Sequence, residues 1–166
     1  MKTQDAPTAG DILKPNIHTV SPEMHLSDVV TFLLKHKVSN APVVKQDGKH
    51  RELLGFISEA DCLEFLSNEL FYGNPSPPQT AATIMKKHPV CVCPEADLFA
   101  LSSIFISHGY RHLPVLEDHH LLGIVSRRDV LKSLDEFYRA WSRTRDREKF
   151  PVDLHKIMNH RFLASH

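Results

Sequence analysis

One heptapeptide constrains this chain more than any other feature, because it occurs twice. Gly55-Phe56-Ile57-Ser58-Glu59-Ala60-Asp61 returns as Gly123-Ile124-Val125-Ser126-Arg127-Arg128-Asp129, sixty-eight residues later. The repetition extends upstream, where Ser21-Pro22-Glu23 matches Cys93-Pro94-Glu95 and Ala41-Pro42-Val43 matches Leu113-Pro114-Val115, now seventy-two residues apart. The second copy has therefore lost four residues between its Pro-Val and its Gly. Three of the four fall where the turn-like run Lys45–Arg51 is shortened to Glu117–His120, which reads as loss at a hairpin tip.

Each copy carries the same succession of patterns. Asp11–Lys14 and Thr83–Lys86 suggest a helical turn leading into extended chain. His18–Val20 and Val90–Val92 read as short strands, ended by Pro22 and Pro94. A helix follows from Ser27, with Leu26, Val29, Val30 and Leu33 at helical spacing; Leu98, Leu101, Ile104 and Phe105 are its counterpart. Two strands then pair as a hairpin, and Ser58 opens a helix carrying Cys62, Phe65, Leu66 and Leu70. In the second copy the last helix runs from Ser126 to about Ala140. The fold class is thus α+β, built from two pseudo-symmetric β-α-β-β-α repeats. A unit with about three short strands cannot bury a sheet alone, so the copies should pack together.

The boundaries follow. Residues 1–10 read as a mobile arm, 11–72 as the first repeat, 73–79 as a Pro-rich linker, 80–140 as the second repeat, and 141–166 as a partly helical tail. In the tail, Val152–Met158 has the pattern of one short helix.

Charge narrows the partners. Lys and Arg number 20, as do Asp and Glu, so no overall field favours nucleic acid or an anionic membrane. Three cysteines make no paired framework and suit a reducing cytoplasm. No apolar core follows the first residues and no run reaches bilayer length, so a soluble, cytoplasmic protein is expected.

The duplicated Gly-x-x-Ser-x-x-Asp, the two Pro-Val strands and the element order resemble a tandem pair of CBS (cystathionine β-synthase) domains, a Bateman module, over residues 10 to 140. The resemblance implies a regulatory module that binds an adenosine-type ligand (AMP, ADP, ATP or an S-adenosyl compound), with no obligatory cofactor, usually as a disc-shaped homodimer. It implies that Asp61 and Asp129 bind ribose hydroxyls and that Ser58 and Ser126 contact ribose or phosphate. By the same resemblance Thr19, Pro42 and Pro114 line the ligand cleft, and Arg111, His112 and Arg128 are candidate phosphate contacts. Pseudo-symmetry leaves open which Asp shares its ligand with Arg111.

The residue chemistry suits that role. A carboxylate offers acceptors to a vicinal diol, a Ser at a helix start sits beside free N–H groups, and Gly lets a ligand or another strand approach the backbone. A plainer role competes with it. Ser-x-x-Asp is also a helix capping box, and a first-turn Asp gains about 0.3–1 kcal/mol from the helix dipole. Capping accounts for Ser and Asp but not for the duplicated Gly.

The remaining groups carry less. His88-x-x-Cys91-x-Cys93 lacks the paired spacing of a structural zinc site, and Cys62 sits on an apolar helical stripe, so no metal and no nucleophile is assigned. His119-His120 reads as surface, and His155 and His160 are poorly spaced for one helical face. No phosphate loop, nucleophile elbow or close carboxylate pair is present, and no enzymatic activity is expected. The alternative is a dimerisation scaffold that docks a partner protein through its tail or a helical face.

Overall fold

The computed structural model describes residues 6–73 and 77–147. In chain order the elements are α1 (Ala9–Ile12), α2 (Leu26–His36), β1 (Asn40–Asp47), β2 (His50–Ser58), α3 (Glu59–Tyr72), α4 (Ala81–Ile84), β3 (Lys86–Lys87), α5 (Leu98–His108), β4 (His112–Glu117), β5 (His120–Ser126) and α6 (Arg127–Arg147). The sheet runs β1-β2-β5-β4, with β3 paired to β2. The two hairpins meet at a single pair, Glu52 opposite His120.

Both hairpins follow one plan. Each has a register shift at the same place, Val43/Val44 and Val115/Leu116, and pairs a valine with the duplicated glycine, Val43 with Gly55 and Val115 with Gly123. The extra residues of the first copy do not enlarge its tip. Both tips are two residues long; instead β1 and β2 have 8 and 9 residues where β4 and β5 have 6 and 7. Lys45–Asp47 pair with His50–Glu52 beyond the covered part of the sheet, where polar side chains face solvent and the sequence therefore reads as turn. At the second tip Asp118 and His119 both take positive φ, 47° and 68°, as a tight two-residue connection demands.

The expected first strands shrink to single parallel bridges, Val20 to Val43 and Val92 to Val115. Val20 donates its N–H to Pro42 O at 3.0 Å and accepts from Val44 N at 3.0 Å. Alternate residues of a strand bond the same neighbour, and the next in line are Pro22 and Pro94, which have no N–H to give.

The helical stripes behave as their spacing indicates. Leu26, Val29 and Leu33 are buried in one core, and Leu98, Leu101 and Phe105 in the other. Asp97 caps α5 by accepting from Phe99 N and Ala100 N, and Gly109 ends it with φ 66°. Cys62 is buried, but Leu70 is 84% exposed, so the apolar stripe of α3 outruns the core.

The two cores exchange their lead-in segments. Ala9, Ile12 and Leu13 pack with Val92, Leu98 and Val115, whereas Ala81, Ile84 and Met85 pack with Val20, Leu33 and Val43. Residues 6–10 of the expected mobile arm are docked accordingly: Leu98 N donates to Pro7 O, Ala9 N to Ala96 O and Gly10 N to Pro94 O, at 2.8–2.9 Å. The matching bond on the other side is Leu26 N to Gln79 O, 2.9 Å. The helical turns begin two residues earlier than expected because Thr8 and Thr80 start them: Thr8 N–H reaches Asp11 Oδ2 at 2.8 Å and Thr80 N–H reaches Thr83 Oγ1 at 3.0 Å.

The exchange explains the duplicated glycines. A Cβ on Gly55 would stand 2.7 Å from Lys86 O, and one on Gly123 would stand 2.4 Å from Lys14 O. Another strand, rather than a ligand, makes the close approach.

The last helix passes the expected boundary at residue 141 and continues to Arg147. The expected helix at 152–158, His155, His160 and linker residues 74–76 lie outside the described residues. Among the described residues no helix is long and apolar enough to cross a membrane.

Candidate functional site

The exchange opens two clefts between the repeats, each assembled from both copies. The larger, about 610 Å³, is lined by Ser58 and Asp61 at the start of α3, by Lys86–Val90 of the second lead-in, and by Tyr110, Arg111, His112 and Pro114. The smaller, about 340 Å³, has Ser126 and Asp129 at the start of α6, Lys14 and Asn16–His18 of the first lead-in, and Lys37–Asn40 with Pro42. Each cleft thus joins the Ser-x-x-Asp of one repeat to the Pro-Val strand of the other.

The capping box is present in both. Asp61 Oδ2 accepts from Ser58 N at 2.8 Å and from Ser58 Oγ, while Asp61 N–H reaches Ser58 Oγ at 3.3 Å. Asp129 Oδ2 accepts from Ser126 N at 3.2 Å and from Ser126 Oγ. One carboxylate oxygen is thereby committed to the helix start in each copy. The other points into the cleft, and a lysine from the exchanged lead-in stands on it. Lys14 Nζ is 2.7 Å from Asp129 Oδ1, and Lys86 Nζ is 3.2 Å from Asp61 Oδ1.

These partners set the electrostatics. Among the described residues Asp61 is the buried charged one, 6% exposed, and a buried carboxylate needs a cation or donors around it. Burial pushes the Asp129 carboxyl up; the hydrogen bonds from Lys14 and Ser126 outweigh it and hold the group below the ordinary carboxylate range.

Between the clefts lies one shared wall. Asn40 and His112 occupy matching positions at the starts of β1 and β4, line both clefts, and stand 3.0 Å apart, Asn40 Nδ2 to His112 Nδ1. Burial pushes the His112 imidazole down; Asp129 pulls it up less strongly, and Lys14 and Arg111 add to the lowering.

The expected residues distribute unevenly. Ser58, Asp61, Arg111, His112 and Pro114 gather in the larger cleft, and Ser126, Asp129, Pro42 and again His112 in the smaller. Arg111 therefore shares a cleft with Asp61. Arg128 is exposed and lines neither cleft; it sits on the solvent side of the first turn of α6. Thr19 lies in a separate surface hollow with Ser21–Met24, because Val20 rather than Thr19 meets β1. Lys14, Lys86, Lys87, His18 and Asn40 were not anticipated, although Lys14 and Lys86 are a duplicated pair visible in the repeat alignment. Cys62 is a core group: burial, then the nearby Asp61 charge, push its thiol up. Among the described residues no group of three metal-ligating side chains is gathered.

Residues 9–68 and 81–136 each match the CBS domain family. A curated relative, the A-adding tRNA nucleotidyltransferase of Aquifex aeolicus, is 25% identical over 126 residues, which cover 76% of this chain but 14% of that protein. Among solved structures, CBSX2 of Arabidopsis thaliana in complex with AMP is 27% identical with TM-score 0.67, covering 80% of this chain and 98% of that one. The CBS domain pair of protein MJ0100, solved with 5′-methylthioadenosine and S-adenosyl-L-methionine, shares the fold at TM-score 0.63 and 19% identity, over 79% of this chain and 98% of that one.

Proposed function

This chain belongs to the CBS domain family, and on that premise we propose that it is a regulatory module that senses an adenosine-type ligand and has no catalysis of its own. The observation that carries the reading is the pair of clefts in which a helix-start carboxylate presents one oxygen, Oδ1, beside a lysine. Carboxylate, lysine and Pro-Val strand supply an acceptor for ribose, a cation for phosphate and an apolar edge for a base. The larger cleft is the primary site, because it adds Lys87 and Arg111 to Lys86. That CBSX2 has been solved with AMP supports the same ligand class. Sensing requires that ligand prefer one arrangement of the repeats, since it shifts their balance only by that preference.

A screen of the purified chain against AMP, ADP, ATP and S-adenosylmethionine tests the reading. Ligand at about a hundred times its dissociation constant should add about 2.7 kcal/mol of stability. No shift with any of them overturns it and leaves the second reading, a dimerisation scaffold in the cytoplasm that docks a partner protein. One observation favours assembly in either case: Leu34, Leu63, Leu70, Phe99, Ile106 and Leu131 are large apolar side chains exposed on the helices.

A further inference from the structure

Lone-pair accounting at the two aspartates deepens the nucleotide reading, on which it rests. An ionised carboxylate has about four acceptor sites, two on each oxygen. Oδ2 uses both of its sites on the Ser N–H and Ser Oγ of its own capping box, in Asp61 and in Asp129 alike. Oδ1 has two left, and the lysine ammonium takes one. A vicinal diol brings two hydroxyl donors. It can satisfy both at Oδ1 only by expelling the lysine.

We propose that Lys14 and Lys86 are internal stand-ins for ligand that make each cleft selective for 5′-phosphorylated adenosine over adenosine and over S-adenosyl compounds. Ribose binding breaks the Lys–Asp pair and releases an ammonium inside the cleft that the lysine lines. A phosphate on the same ligand recaptures that ammonium as a charge-assisted bond. Adenosine leaves it without a partner, and the sulfonium of an S-adenosyl compound repels it. The lysines suit the exchange because their side chains are exposed, 65% for Lys14 and 77% for Lys86, whereas the carboxylates are held at 19% and 8%. The cation can swing away while its partner stays fixed by the helix start. The other cations in the clefts, Lys37 in the smaller and Lys87 and Arg111 in the larger, stand on no carboxylate among the described contacts and so impose no such exchange.

Titration calorimetry of the full chain and its Lys14→Met/Lys86→Met variant with AMP, adenosine and S-adenosylmethionine decides the matter. The variant should bind AMP about tenfold or more weakly, for loss of a charged hydrogen bond. It should bind adenosine about two- to fivefold more tightly, because the exposed lysine no longer competes with the diol for Oδ1. Its affinity for S-adenosylmethionine should rise at least as much. The Lys14→Arg/Lys86→Arg variant should keep the preference for AMP. If AMP binds but the AMP-to-adenosine ratio is the same in wild type and Met variant, the stand-in role is wrong while the nucleotide reading survives. If none of the three ligands binds the wild type, the stand-in role falls, and the nucleotide reading falls with it when ADP and ATP also fail to bind.

Discussion

Lys14 and Asp129 lie 115 residues apart in the chain and 2.7 Å apart in space. Their contact depends on the crossing of the first lead-in over β5, where Lys14 N donates to Ile124 O at 2.9 Å and Ile124 N to Lys14 O at 3.1 Å. The backbone that carries the lysine is thus the backbone that forbids a side chain on Gly123.

Gly123→Ala should consequently be among the most damaging small substitutions. Its Cβ would meet a backbone oxygen at 2.4 Å, inside a two-bond ladder that cannot give way. We expect a loss of about 1–3 kcal/mol or more, with Gly55→Ala milder because part of its obstacle is the flexible Met85 side chain. Denaturant melts of the two variants check the order. Wild-type stability in Gly123→Ala would mean that the crossing is not in place.

Replacing each aspartate by asparagine separates capping from ligand binding. An asparagine oxygen can still accept the Ser N–H at the helix start, so stability should fall by only about 1 kcal/mol. The amide NH₂ then faces the cleft, where it cannot accept a diol. Asp61→Asn is expected to abolish most of the AMP-induced stabilisation, and Asp129→Asn the part due to the smaller cleft. A full AMP shift in the double variant would reduce both residues to helix caps.

Acid should loosen the shared wall before it reaches the carboxylates. The His112 imidazole is held below its ordinary value, chiefly by burial, with Lys14 and Arg111 facing it and Asp129 opposing them. The unfolded chain therefore takes up this proton first. Stability contributed by neutral His112 is full above about pH 6.5 and is lost as pH falls from there through the folded value. Asp129 is also lowered, so its contribution is present above about pH 3.9 and lost below. Urea melts from pH 7.5 to 5 should show the first loss in wild type and a flatter profile in His112→Gln. Parallel profiles would remove His112 as the source.

The exposed apolar side chains on the helices predict assembly. Light scattering at tens of micromolar is expected to give a dimer, and Leu63→Asp with Ile106→Asp a monomer that retains its fold. Leu63 and Ile106 are 63% and 84% exposed in the single chain, so charge there should cost the isolated fold little. A monomeric wild type would leave these side chains without an occupant.

Removing residues 1–10 should injure the second core and spare the first. The truncation deletes Ala9, which is fully buried, and three backbone bonds to Leu98, Ala96 and Pro94, worth about 1 kcal/mol each. Thiol labelling reads the asymmetry directly: Cys91 should become more reactive while buried Cys62 stays protected. Equal protection of both would show that the segment adds nothing.

Much of this architecture was legible in the sequence, and the limits have physical causes. The repeat, the helix stripes and both hairpins followed from spacing alone, and Asp61 and Asp129 stood out as a duplicated pair. The exchange of lead-ins was not legible, because moving Ala9 and Ala81 between cores leaves the period of the repeat unchanged. For the same reason the partner of Arg111 stayed open until the structure set it in the cleft of Asp61. Lys45–Arg51 misled because strands extending past a core keep pairing but lose the alternation that betrays them. Arg128 misled because a residue one step before the duplicated Asp in the helix points outward rather than into the cleft.

The exchange also orders events in time. Residues 7–14 are made early, yet the surface they occupy is finished only when β5 has been synthesised. The first core, for its part, lacks Ala81, Ile84 and Met85 until synthesis has passed α4. Neither repeat has its full core until both lead-ins are made, and a chain cut between α3 and α4 would leave each piece without the lead-in that completes its core.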